Sequence, residues 1–427
     1  MIKKLDTTAD EIEFSSRSPL GGADDETRRK VRNMLDDVKR HGWEAVVKFS
    51  RQFDDCTPQA SPVSPGRLKE CWQQLPENQK QALTLARDRI KRYQEAIKPS
   101  STVITDTAGG LLGDIVRPLE RVGCYVPGGR VPLPSSVLMS AYIAEIAGVG
   151  SNVICSPPVK DGLPHPVIMA AVSLLENVEL YGIGGVQAIG AMAYGAGELA
   201  PVDLIAGPGN LFVTLAKKEV YGEVEVDMLA GPSEIAIVGE TGVARPRYVA
   251  ADLLSQAEHD PRSRVYFLTP DSKLIRAVER ELAELTSGHP REDVIRRSLK
   301  SSALIKTVSL AEAVEVVNLI APEHLELHVE KPLELSRGCE FAGAVFCGNW
   351  SPEPVGDYLA GPSHTLPTGG SARFFSPLSV QTFQRHQSLI SLSRQGFNSI
   401  RTETETVARM ESLPAHEYSS AVRESEK

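Results

Sequence analysis

The sequence predicts an α/β fold of parallel sheets covered by helices, on three observations. From about residue 110 onward, short β-branched and apolar runs alternate with helical stretches, the pattern of strands joined by helical crossovers. Glycine-rich turns follow several of those strands, at Gly128-Gly129, Gly184-Gly185 and Gly207-Pro208-Gly209-Asn210; in such sheets the loops beyond the strand C-termini build the site. The chain has 427 residues, more than one hydrophobic core usually serves, so two or more domains are expected.

Residues 24–100 read as helical scaffold. Val31, Met34, Leu35 and Val38 recur at helical spacing over 24–41 and Gly42 follows as a stop; further helices are expected over 43–54 and 77–97. Strands follow at 113–118 and 121–126, the second ending in Pro127-Gly128-Gly129 and leading through Ser135-Ser136 into an apolar helix over 137–147. Strand, glycine-rich turn and helix in that order let backbone N–H groups approach a phosphate. Alternation continues with strands at 151–158, 178–185, 204–210 and 225–234 and helices at 165–176, 186–194 and 211–220. A strand at 235–239 precedes a helix stopped by Pro261. Strands at 265–268, 303–308 and 343–347 and helices at 271–286 and 310–319 follow. Residues 348–358 read as a long polar loop, and helices are expected over 379–393 and 403–413.

Hydrophobic residues make up 41% and charged residues 24% of the chain, ordinary for a soluble globular protein. The net charge of -9 without a basic run argues against a nucleic-acid partner. The apolar stretch 136–149 is interrupted by Glu145 and is too short to span a bilayer. No apolar stretch suited to a signal peptide follows the opening Met1-Ile-Lys-Lys-Leu-Asp, so a cytoplasmic enzyme with no membrane partner is expected. Cys56, Cys71, Cys124, Cys155, Cys339 and Cys347 form no Cys-x-x-Cys pair, so neither a thiolate zinc site nor a disulfide framework is indicated. Cys124, before a glycine-rich turn, has no base visible beside it and reads as a small core residue.

The stretch around which the chemistry gathers is Ala250-Ala-Asp-Leu-Leu-Ser-Gln-Ala-Glu-His-Asp-Pro. Gln256 and His259 stand three apart, on one helix face, and could grip one ion or substrate together. The competing reading has His259 merely favouring the negative end of the helix dipole. Glu323 and His324 set a carboxylate beside an imidazole directly after Pro322, and an imidazole is best suited to proton transfer near neutrality; His328, on the same face, competes for that role. Asp357 and His364 bracket Gly361-Pro-Ser. No full Gly-x-Gly-x-x-Gly fingerprint is present, since Gln187 stands where the last glycine should be. Glu411 and His416, near the C-terminus, read as surface by composition.

These segments together resemble the histidinol dehydrogenase family. The likeness runs from about residue 24 to His416 through Tyr125-Val-Pro-Gly-Gly, Gly184-Gly-Val-Gln-Ala-Ile, Gly207-Pro-Gly-Asn, Ala230-Gly-Pro-Ser-Glu, Asp252-Leu-Leu-Ser-Gln-Ala-Glu-His, Ala321-Pro-Glu-His-Leu, Gly348-Asn-Trp-Ser-Pro-Glu, Gly356-Asp-Tyr, His364-Thr-Leu-Pro-Thr and Ala415-His416. The resemblance implies two Rossmann-like parallel-sheet domains plus small helical N- and C-terminal segments in an intertwined homodimer. Residues 1–23 would be the N-terminal segment, 24–126 with 235–377 a discontinuous first domain, 127–234 an NAD-binding second domain, and 378–427 a helical segment reaching the partner.

It further implies a zinc-containing, NAD-dependent enzyme that oxidises L-histidinol to L-histidine through a bound aldehyde, in two hydride transfers. One zinc per subunit would be held by Gln256, His259, Asp357 and His416, and Tyr125, Gln187 and Asn210 would line the NAD site. Ser233, His324, His364 and Glu411 would contact substrate together with the metal ligands. Glu411 and His416 would serve the neighbour's site in the homodimer. His324 would act as base, and Glu323 would activate the water that adds to the aldehyde. Arg130 raises an alternative, a related zinc and NAD enzyme acting on another polar alcohol such as a hydroxylated sulfonate. A non-catalytic nucleotide-binding homologue and a metal-dependent hydrolase are the readings from other classes. The first would lack a ligand or the Glu-His pair, and the second leaves the three glycine-rich loops without a purpose.

Overall fold

The computed structural model describes residues 2–7, 24–107, 109–128 and 131–424. They fall into two compact units, Met1–Ile97 with Leu119–Phe383, and Lys98–Pro118 with Gln384–Lys427. The larger unit contains two parallel sheets, in accord with the α/β expectation. One has the order Lys3–Asp6, Ala303–Lys306, Arg264–Thr269, Glu234–Gly239, His324–His328, Ala344–Cys347. The other has the order Glu225–Val226, Leu204–Ala206, Arg121–Tyr125, Ser151–Cys155, Val178–Tyr181. The Arg121–Tyr125 strand thus pairs with strands of the 127–234 segment, across the boundary set at 126/127.

Both sheets are buried on their two faces, as helical crossovers require. Along Glu234–Gly239, Ile235 and Ile237 pack with the Pro246–Ala257 and Ser272–Thr286 helices, while Ala236 and Val238 pack with Leu310–Ile320 on the opposite face. In the second sheet Cys124 and Ile154 face a core with the Ala141–Ala147 and Pro166–Val172 helices. Tyr125 and Val153 face Asp25–His41, Gly185–Tyr194 and Leu211–Val220 on the other side. The Asp25–His41 helix forms as its spacing predicts: Asp24 caps it by accepting from the Thr27 N–H, and Val31, Leu35 and Val38 are buried.

Four elements differ from expectation. A helix at Pro65–Gln74 was not foreseen; its signal is Ser64, whose side chain accepts from the Arg67 N–H, followed by proline in the first turn. The apolar helix expected over 137–147 is two, Pro134–Leu138 and Ala141–Ala147, broken at Ser140, whose hydroxyl donates to the Ser136 carbonyl over 2.5 Å. The long loop 348–358 contains the helix Glu353–Tyr358, which begins after Pro352. The helix expected over 379–393 is a short turn, Val380–Phe383, and a strand, Gln384–Leu392.

That last strand belongs to the smaller unit, where it pairs antiparallel with Gly110–Pro118 from Gln384↔Pro118 to Leu392↔Gly110, and Thr102–Thr105 adds a third strand. Its backbone groups find partners along the whole run, which outweighs a local pattern with no helical stripe. The helices Arg394–Met410 and Pro414–Ala421 complete this unit.

Candidate active site

Glu323 and His324 stand at the start of the His324–His328 strand, just beyond Ala321, which ends the Leu310–Ile320 helix in the left-handed region at φ 52°. That conformation is strained for alanine and turns the chain sharply into the sheet. Both side chains are buried, and both are tied to Glu234 on the neighbouring strand. The Glu234 N–H donates to Glu323 Oε2 over 3.1 Å, and His324 Nδ1 lies 3.3 Å from the Glu234 carbonyl oxygen. A ring nitrogen facing a carbonyl must be the protonated one, so Nε2 carries the lone pair. Burial pushes the Glu323 carboxyl well above, and the His324 imidazole below, their ordinary values. At neutral pH His324 is therefore a neutral base. Glu234 itself is pushed up to about 7 by burial and accepts the Gly369 N–H over 3.0 Å.

The Glu353–Tyr358 helix presents Glu353 and Asp357 four residues apart, on one face. Donor atoms of His324, Glu353 and Asp357 lie within 4.8 Å of one another. Glu353 Oε1 is buried without a hydrogen-bond partner and sits 4.0 Å from His324 Nε2, while Oε2 accepts from the Ser255 hydroxyl at 3.2 Å. Burial, then the Glu353 carboxylate, push Asp357 up to about 9. His364 follows on the next loop. Its Nδ1 faces the Asp357 carbonyl at 3.2 Å and its Nε2 faces the Ser136 hydroxyl at 3.3 Å, and burial lowers its pKa to about 4.

The Pro246–Ala257 helix ends four residues before Pro261, so His259 stands in the turn beyond it, its N–H donating to the Gln256 carbonyl at 3.3 Å. The helix-face argument for this pair therefore fails. His259 is exposed. Gln256 is fully buried, yet its amide oxygen and nitrogen both lack a partner. A buried amide with neither group satisfied is costly in a closed protein. Such an amide, with an imidazole and a carboxyl group, makes a mixed N/O donor set that fits a borderline cation such as zinc. Gln256, His259 and Asp357 offer donors of that chemistry.

The three residues expected at the NAD site lie around the C-terminal end of the second sheet. Tyr125 is buried, its hydroxyl accepting the Gly185 N–H at 3.2 Å, and burial pushes it up to about 12. Gln187 is buried and donates to Asp54 Oδ2 at 3.1 Å. Asn210 is exposed and caps the Leu211–Val220 helix, its Oδ1 accepting from Phe212 and Val213 N–H groups. Gly207, at φ +106°, is demanded by the fold: a Cβ there would meet the Tyr125 carbonyl oxygen at 2.2 Å. Its N–H donates to Asp227 Oδ2 at 2.8 Å and its carbonyl accepts from Lys217 Nζ at 3.0 Å.

Ser233 is partly exposed, immediately before Glu234. Glu411 and His416 lie in the smaller unit, where both are exposed. Arg130 and Gly129 lie outside the described residues. Cys124 is a fully buried thiol, pushed up to about 12 by burial, in keeping with a core role. His328, the competitor of His324, is engaged elsewhere, 2.9 Å from Glu326 Oε2. Sequence reasoning missed Glu234, Asp252, Glu326 and Glu353 as site residues. For Glu353 the signal was present, a carboxylate four residues before Asp357 behind a proline.

The histidinol dehydrogenase family model matches residues 21–424. The chain is 45% identical to the histidinol dehydrogenase of Moorella thermoacetica over 92% of its own length and 94% of that protein. It is 41% identical to that of Bacillus subtilis over 99% of each. Its fold superposes on the crystal structure of the histidinol dehydrogenase from Elizabethkingia anophelis with a TM-score of 0.93 at 32% identity, covering 99% of this chain and 98% of that one.

Proposed function

The chain belongs to the histidinol dehydrogenase family, and on that premise we propose how its own residues oxidise L-histidinol to L-histidine. The family is dependent on zinc and NAD; when bound, NAD supplies the hydride acceptor for both oxidations and zinc a template for the substrate's nitrogens. Gln256, His259 and Asp357 would hold the metal, with His416 of a partner subunit as the fourth ligand. Tyr125, Gln187 and Asn210 would line the NAD site, and Ser233, His364 and Glu411 would contact substrate beside the metal ligands.

His324 takes the alcohol proton at Nε2 as hydride departs, because its Nδ1 is committed to the Glu234 carbonyl. The ionised Glu323 carboxylate then accepts a proton from the water that adds to the aldehyde, while protonated His324 returns its proton from Nε2 to the former carbonyl oxygen, which gives the hydrate and frees the imidazole again; burial raises the proton affinity of the Glu323 carboxylate. The hydrated aldehyde is the second hydride donor, and His324 again takes the hydroxyl proton. Retention of the aldehyde in a buried site guards a reactive intermediate.

The observation that carries this reading is the meeting of His324, Glu353 and Asp357 within 4.8 Å, and the fully buried Gln256 amide without a hydrogen-bond partner supports it. A homodimer with shared sites suits the smaller unit, whose Ile390, Met410 and Tyr418 are 72%, 79% and 69% exposed. Among the described residues no helix is long and apolar enough to cross a membrane. Cytoplasmic action is part of the proposal, and the free cysteines suit a reducing compartment. The alternative polar-alcohol substrate gains no support from relatives that are named histidinol dehydrogenases. Steady-state NADH formation by His324→Ala tests the reading: turnover of both L-histidinol and L-histidinaldehyde should fall together, and near-normal turnover of either removes His324 as the base.

A further inference from the structure

Beside the candidate site lies a second buried group, Asp252, Glu326 and His328, whose donor atoms are within 4.8 Å of one another. Glu326 is fully buried and sits two residues after His324, on the same face of the strand. Its Oε1 accepts the backbone N–H of Glu353 at 2.7 Å, and its Oε2 meets His328 Nε2 at 2.9 Å. Asp252 hydrogen-bonds the Glu326 carboxyl and lies 3.8 Å from His328. The N–H of Glu353 opens the Glu353–Tyr358 helix and has no partner within it.

Asp252, Glu326 and the residue whose N–H Glu326 accepts each stand one structural repeat from a residue of the site. Asp252 is four residues before Gln256 on its helix, Glu326 two after His324 on its strand, and the residue Glu326 holds, Glu353, four before Asp357. Three separate elements that deliver site groups are thus tied to one carboxyl. Two buried acids and an imidazole are a poor choice for stability, since apolar residues of similar volume commonly do as well or better. We propose that Glu326, supported by Asp252 and His328, is a positioning residue: it fixes the Glu353–Tyr358 helix against the His324 strand and the Gln256 helix so that Asp357 and Gln256 are preorganised for the metal. The proposal rests on the ligand assignment made above. Partners of metal ligands are worth about 10- to 100-fold in affinity in comparable sites.

The test is zinc affinity of the full-length enzyme by chelator competition at fixed pH, with kcat, KM and Tm measured alongside. Glu326→Leu removes the acceptor while keeping bulk; Glu326→Gln keeps an acceptor for the Glu353 N–H. Expected are a zinc affinity about 10- to 100-fold weaker in Glu326→Leu, a Tm of the zinc-free protein equal to or above wild type, and recovery in Glu326→Gln to within about 3-fold. If Glu326→Leu fails to fold, Glu326→Met takes its place. Wild-type affinity in the apolar variant overturns the proposal, as does an equal loss in Glu326→Gln. Failure of the wild-type protein itself to bind zinc would instead bring down the ligand assignment, and this inference with it.

Discussion

The Glu323 carboxyl lies 3.8 Å from Nδ1 of its neighbour His324, and both are bound to one residue, Glu234, through its N–H and its carbonyl oxygen. One strand end thus holds a carboxyl and an imidazole in fixed relation, each with its charged form disfavoured by burial. Both oxidations need a base for the hydroxyl proton and the hydration between them needs a base for water; His324 serves the first need and Glu323 the second.

Replacement of Glu323 separates the two halves. Glu323→Gln keeps an oxygen to accept the Glu234 N–H but takes no proton from water. In a single turnover it should release about one NADH per L-histidinol at a near-normal rate, with the second step slowed about 10²- to 10⁴-fold. Rapid-quench counting of NADH checks this; an equal loss in both steps would remove Glu323 from water activation.

His324 sets the acid limb of the pH profile. Burial lowers its pKa, and protonation abolishes the base, so kcat/KM should be flat near neutrality and fall below the ordinary imidazole value of about 6.5. In His324→Ala the rate should drop about 10²- to 10⁴-fold and that limb should vanish. A limb that persists unchanged in the variant belongs to another group.

Stability of the zinc-free protein should decline as pH rises. Burial pushes Asp252 and Glu326 each up to about 8 from the ordinary carboxyl range. Between about pH 4 and 8 the folded state therefore binds more protons than the unfolded one, and ∂ΔG/∂pH is negative. The contribution is fully present below the unfolded values and is lost as pH rises through the folded ones. Tm should be lower at pH 8 than at pH 5.5 by a few degrees, at about 1 °C per kcal/mol for a chain of 427 residues, and Asp252→Asn should flatten the slope. A Tm that rises with pH contradicts it.

Shared sites predict complementation. His324→Ala and His416→Ala homodimers should both be nearly inactive. After mixed refolding, half the dimers are hybrids in which one of the two sites is intact, giving about a quarter of wild-type activity. No recovery would place His416 outside the neighbour's site.

Much of this was legible in the chain and some was not, for physical reasons. The β-α alternation and the Asp25–His41 helix follow from periodicity and caps, which are local. Gln256, Glu323 and Asp357 stand out in the chain as polar groups close to prolines and glycines that end or begin elements. The Gln384–Leu392 strand was misread because its stability lies in a partner, Gly110–Pro118, more than 260 residues away. Glu326 was passed over because, in sequence, it is an ordinary carboxylate between two leucines; only the register of the strand, with Glu326 opposite Ile237 and Phe346, puts it inside. The spacing puts His259 on the helix with Gln256, yet the helix ends at Ala257 and His259 stands exposed in the turn beyond it.

The most direct test of the whole account is the number of NADH formed per L-histidinol consumed, in zinc-replete and in chelated enzyme. The account predicts two, lost on chelation and restored by zinc, with no aldehyde released. No NADH from L-histidinol, or one NADH with free aldehyde in solution, would contradict it.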